Sequence, residues 1–219
     1  NKAVRVNRCS DMRDALASRL CKSNLVTIDE KWFYYRNHIP CNKIGSRVTV
    51  GGDEEPIKTP RRTTMEKKFM AIVAVTQRGQ HYYEILQQNV TINSVRYIEF
   101  LLNLEIFLRN RNNPILPENM RLIQDNARPH VSRATIAAIE AKNIRLLKQP
   151  PYSPDCNLCD RYIFPRLEAV RKGNFENRDD LTAFLDQELP KFTAQKMDKA
   201  LVSMIDDMEK IILNGGDYI

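Results

Sequence analysis

A chain of 219 residues with 42% hydrophobic content can build one domain with a sizeable core. No apolar run approaches the ~18 residues of a membrane span, and the polar start NKAVRVNRCSDMRD excludes a signal peptide and, lacking an initiator methionine, reads as a fragment. The net charge of +7 lies in the first third, where residues 1–68 hold 15 Lys/Arg against 8 Asp/Glu and residues 69–219 hold 19 of each, a pattern that suits a phosphate backbone or plain solubility.

In chain order, residues 3–22 have helical spacing, with Val6, Cys9, Met12, Leu16 and Leu20 on one face. LVTIDEKWFYY is β-branched and aromatic and reads as a strand, with Trp32 and Tyr34 alternating into the core. Residues 37–65 carry Pro40, Gly45, Gly51, Gly52, Pro56 and Pro60, and so form a long loop. A short extended piece at RVTV and the basic cluster Arg61, Arg62, Lys67 and Lys68 belong to this region. KKFMAIVAVTQ and QHYYEILQQNV are two strands joined by a hairpin at Arg78-Gly79. Thr91 or Asn93 caps a helix over about 94–111, whose stripe Tyr97, Phe100, Leu101, Leu104 and Leu108 faces the core. MRLIQD is a short buried strand, Pro129 opens a helix through SRATIAAIEAKN, and IRLLKQ is a further strand. Asp160 opens another helix through PRLEAV, and helical patterns follow at about 177–188 and 193–213.

Three aspartates stand out from this order. Asp29 interrupts an apolar strand, Asp125 ends one, and Asp160 follows the loop PPYSPDCNLC. A lone carboxylate in an apolar run loses its hydration at a cost. Three that converge make sense when a divalent ion shares their charge, and hard oxygen ligands suit Mg²⁺ or Mn²⁺. The bland alternatives are an exposed strand face for Asp29 and helix N-caps for Asp125 and Asp160. Asp155, in the SPD turn, competes for the third position. Cys156 and Cys159 form a CxxC, but no second pair completes a zinc site, so they read as small apolar residues. Five scattered cysteines suit a reducing compartment better than a disulfide framework.

IDEKW, QDNARPH and PPYSPD followed by CDRY resemble the catalytic domain of a mariner-type transposase of the Tc/mariner superfamily. Between Asp125 and Asp160 lie 34 residues, and that gap with aspartate as the third acid is the mariner pattern. The resemblance runs from about Arg19 to the C-terminus. It departs from the family at Cys156-Asn157-Leu158-Cys159, where prolines or small polar residues are usual, and in FMAIVAVTQ, which lacks a tryptophan.

The resemblance implies an α/β, ribonuclease H-like fold: a mixed five-stranded sheet flanked by helices, with a long loop inserted after the first strand. Residues 1–22 would form a helical linker segment and 23–219 the catalytic domain. Asp29, Asp125 and Asp160 would hold two Mg²⁺ ions, with Mn²⁺ as a substitute, and Asp155 would serve the turn. Asn126 would orient Asp125 or touch the DNA backbone. His130 would contact a phosphate or a neighbouring carboxylate, and Arg128 would position a phosphate. Arg61, Arg62, Lys67 and Lys68 would contact DNA. The implied reaction is cut-and-paste transposition: hydrolysis at transposon ends, then attack of the 3′-hydroxyl on a TA target, by a nuclear homodimer gripping double-stranded DNA through the loop at 37–65. Residues 1–28 are too short for the paired helix-turn-helix units that read transposon ends. A host-recruited DNA-binding descendant, or a nuclease without strand transfer, are the alternatives.

Overall fold

The strand β1 (Leu25–Tyr34) forms the centre of the molecule, and its side-chain alternation organises everything around it. The computed structural model describes residues 2–36, 67–87 and 90–217. The loop at 37–65, with RVTV, Arg61 and Arg62, lies outside the described residues.

Beside β1 run β2 (Lys68–Thr76), β3 (His81–Ile85), β4 (Arg121–Gln124) and β5 (Arg145–Lys148), in the spatial order β3-β2-β1-β4-β5. β1–β2 and β2–β3 are antiparallel, whereas β1–β4 and β4–β5 are parallel. The parallel steps need crossovers, supplied by α3 (Ser94–Arg109) and α4 (Arg133–Ala141). This is the ribonuclease H-like topology that the resemblance implied. The β2–β3 hairpin turns at Gly79, at φ 76°, and a Cβ there would come within 2.7 Å of the Ala194 nitrogen.

Successive residues of a strand face opposite sides, so the sheet builds two cores. On one face, Val26, Ile28, Ile72 and Ala74 meet Tyr97, Phe100, Leu101, Leu104 and Leu108 of α3. On the other, Leu25, Phe33, Phe69, Ala71, Val73 and Val75 meet α1 (Lys2–Ala17), α5 (Phe164–Val170), α6 (Arg178–Glu188) and α7 (Ala194–Leu213). Cys9, Met12 and Leu16 place α1 within this larger core. No helix among the described residues is long and apolar enough to cross a membrane.

Several details differ from the sequence reading. The first helix breaks at Ser18, α2 (Arg19–Ser23) follows, and Leu20 turns outward, 64% exposed. Phe33, not Trp32 or Tyr34, is the buried aromatic of β1; those two are half-buried, with the Lys68 ammonium 4.5 and 5.5 Å from their ring centroids. Asn93 is the cap of α3, accepting from the Arg96 N–H at 2.9 Å. α4 starts at Arg133 behind a Ser132 cap rather than at Pro129. The stretch Cys159–Ile163 before α5 is a π-helical turn. Pro165 has no N–H for the carbonyl of Arg161, and the Phe164 N–H reaches back to Cys159 instead.

Candidate active site

The alternation of β1 sends two neighbouring acids to opposite faces. Asp29 shares its face with Leu25 and Phe33, where the π-helical turn lies; Glu30 shares its face with Val26 and Ile28, below α3. β1 and β4 pair Thr27 with Ile123, and continuing that register brings Asp125 level with Asp29. The three aspartates therefore gather at one end of the parallel strand pair, from a strand, a strand end and a facing helix.

Asp29 is 7% exposed and makes two hydrogen bonds that fix its carboxyl plane. One oxygen accepts from the Glu30 N–H at 2.8 Å and the other from the Asn157 amide at 3.1 Å. Asp160 stands on the exposed rim, within hydrogen-bonding reach of Asp29. Burial first, and the Asp160 charge second, push the Asp29 carboxyl up from 3.8 to about 9. Burial raises Asp160 as well, with the Asp125 and Glu30 charges adding to it, against the pull of its bond to Asp29 and of Lys31. Lys31, two residues along the same face, is held 3.4 Å from Glu168.

Asp125 is held differently. Its Oδ1 contacts His130 Nδ1 at 2.5 Å and accepts from the Ala127 N–H at 2.9 Å. The opposite ring nitrogen, Nε2, meets Glu30 at 2.9 Å. Burial opposes ionisation of Asp125, yet the hydrogen bonds outweigh it and the carboxyl titrates below its ordinary range. Burial likewise disfavours a charged His130, but the two acids overcome it and raise the imidazole from 6.5 to about 9. The ring also lies against Tyr97, centroids 4.0 Å apart. The Tyr97 hydroxyl donates to Gln124 at 2.7 Å, and Gln124 donates to the His130 carbonyl at 3.0 Å. The contact with His130 thus favours the ionised form of Asp125.

A cleft of about 340 Å³ opens between these groups, with Asp125, Asp160, Gln149 and Tyr152 in its lining. Among the described residues no three His, Cys, Asp or Glu side chains form a ready-made metal cage. Asp29 and Asp160 meet, while Asp125 turns to His130. The donor set of the meeting pair nevertheless fits one hard divalent cation: two carboxyls forced together retain a proton that such an ion would displace. A pH prediction follows. Because the folded carboxyl of Asp29 lies above its unfolded value, this group favours folding least at high pH; its penalty grows from about pH 4 to about pH 9. In chelator, urea-unfolding stability of the parent should fall across that window relative to Asp29→Asn, and excess Mn²⁺ should flatten the difference.

The other expected contacts divide. His130 is 1% exposed, and both of its ring nitrogens meet carboxylates, the second of the two contacts expected of it. Asn126 donates to the Gln149 carbonyl at 3.0 Å, tying down the proline-rich loop rather than orienting Asp125. Arg128 is exposed on the adjoining turn. Lys67 and Lys68 lie over aromatic rings at the far end of β1 and β2. Asp155 faces away from the cleft; both of its oxygens pair with the buried Arg5 guanidinium, at 2.5 and 3.1 Å, and so bolt the SPD turn to α1. Cys156 meets Cys9, Sγ to Sγ 3.7 Å, and Cys159 is buried against β1 and β2. Glu30 and Asn157 escaped the sequence reading. Strand alternation could have flagged Glu30 as a second inward acid, but only the fold supplies its partner.

Comparison with known proteins agrees with this fold. Residues 42–182 match the family model described as DDE superfamily endonuclease. The chain is 26% identical over 218 residues to the Mariner Mos1 transposase of Drosophila mauritiana, covering 98% of this chain and 62% of that protein. It is 31% identical over 164 residues to the histone-lysine N-methyltransferase SETMAR of Homo sapiens, covering 71% of this chain and 22% of that protein. The crystal structure of the Mos1 mariner paired end complex with Mn superposes with a TM-score of 0.84 at 26% identity, over 100% of this chain and 63% of the other. The chain thus spans less than two thirds of these relatives.

Proposed function

Since this chain belongs to the DDE superfamily endonucleases and has the fold of a mariner-type transposase catalytic domain, we propose that it cuts DNA at transposon ends and joins the freed 3′-hydroxyl to a TA target. The observation that carries this reading is the meeting of Asp29 with Asp160, with Asp125 lining the same cleft as Asp160.

Asp29 and Asp160 are the residues that would hold a divalent cation, Mg²⁺ or Mn²⁺, and Asp125 would share a second. Bound there, such ions supply Lewis-acid charge to a phosphodiester. The chain's own residues orient and exclude. Asn157 and the Glu30 N–H fix the plane of Asp29, and His130 keeps Asp125 ionised and aimed. No side chain is required as a covalent nucleophile. Basic residues of the first third, Arg61, Arg62, Lys67 and Lys68, would supply phosphate contacts, and the loop at 37–65 would grip a second subunit in a nuclear paired-end complex.

The test is product analysis on DNA ending in a pre-cut 3′-hydroxyl, with Mg²⁺ or Mn²⁺ present. Joined strands are the expected result. Hydrolysis alone would indicate a nuclease. Binding with neither product would indicate a recruited DNA-binding unit.

A further inference from the structure

We propose that Asn157 is a positioning residue for the metal-facing carboxyl of Asp29, and that it couples the strand carrying Asp29 to the helical turn carrying Asp160. The inference rests on the metal reading above and goes beyond it in naming what sets the geometry of the pair.

Asn157 is fully buried, 0% exposed, between β1 and the π-helical turn. Its amide has four hydrogen-bonding positions, and all four are filled. The oxygen accepts from the Thr27 hydroxyl at 2.8 Å and from the Cys159 N–H at 2.9 Å. The nitrogen donates to Asp29 Oδ2 at 3.1 Å and, more weakly, to the Ile28 carbonyl at 3.4 Å. The amide cannot be turned around. The Cys159 N–H is only a donor, so the oxygen must face it and the nitrogen must face Asp29.

Two consequences follow for the site. With Glu30 N–H on Oδ1 and Asn157 on Oδ2, each oxygen of Asp29 keeps one donor and retains lone-pair capacity for a cation. In addition, three of the partners of Asn157 lie on β1 and the fourth lies one residue before Asp160. One side chain therefore ties both acids to a common reference. A residue needed only for packing would not require four satisfied polar contacts at zero exposure, where any lost partner leaves an orphaned group.

The experiment measures Mn²⁺ binding by calorimetry to the purified chain, comparing the parent with Asn157→Ala, Thr27→Val and Asp29→Asn. Removing an outer partner of a metal ligand weakens metal affinity roughly 10- to 100-fold, and that loss is expected for Asn157→Ala. Thr27→Val deletes another bond to the same amide but leaves the contact to Asp29, so its affinity should fall clearly less than that of Asn157→Ala. Thermal midpoints in chelator report the purely structural cost of each change. Should Asn157→Ala not fold, Asn157→Ser, too short to reach Asp29, takes its place with the same expectation. Parent-like affinity in Asn157→Ala overturns the inference, and so do equal losses in Asn157→Ala and Thr27→Val, because loosened packing then suffices. If the parent binds no Mn²⁺, or Asp29→Asn binds as the parent does, the metal site itself is misplaced and the inference falls with it.

Discussion

Asp160→Asn is expected to reduce DNA cleavage by about 10³-fold or more, since Lewis-acid charge stabilisation of a transferring phosphoryl group is worth several kcal/mol and each 1.36 kcal/mol is tenfold in rate. The folded protein should not suffer for it. In chelator the substitution removes a like charge that helps to raise Asp29, so stability should match or exceed that of the parent. Asp155→Asn, five residues away, should behave in the opposite way. It weakens the partner of Arg5, whose side chain is 6% exposed, and breaking a buried ion pair costs about 3 kcal/mol. Its cleavage rate, measured well below its melting temperature, should remain near that of the parent. Gel-based cleavage and urea unfolding on the two variants separate these outcomes. Parent-like cleavage by Asp160→Asn would remove it from the site.

His130→Ala is expected to damage both stability and activity. The imidazole bridges Glu30 and Asp125 at 1% exposure, and its loss leaves two acids facing each other without the cation between them. A loss of about 3 kcal/mol is expected from the broken buried pair, with activity lower by roughly 10- to 100-fold from a mispositioned Asp125. The sign with pH follows from the raised imidazole. The contribution of His130 is complete below its unfolded value of 6.5 and disappears as pH rises through about 9. The parent-minus-variant difference in unfolding free energy should therefore be largest near pH 6 and shrink by pH 9.5. A difference that does not vary with pH would mean that the ring only fills space.

Much of this was legible in the residues themselves. The alternation in β1 and β2, the α3 stripe from Tyr97 to Leu108 and the Asn93 cap depend on local periodicity and local hydrogen bonding. The acids of IDEKW, QDNARPH and CDRY could be named because their local motifs are distinctive. Errors fell where a distant partner decided the outcome. Trp32 and Tyr34 look like core, yet Lys68 covers them and Phe33 takes the interior. Asn126 looks placed to orient Asp125, but the Gln149 carbonyl takes its amide.

The sequence by itself determined the element order and singled out the three aspartates, since each is written in contiguous residues and their spacing; the central place of β1 came from the fold resemblance. Only the tertiary structure decided that Asp29 meets Asp160, that His130 joins Glu30 to Asp125 across 100 and 5 residues, and that Asn157 reaches back 128 residues to hold Asp29. Such pairings arise when crossover connections bring β4 and the π-helical turn beside β1. The direction of each side chain at that junction is set by the packing of both faces of the sheet, which no local window of the chain contains.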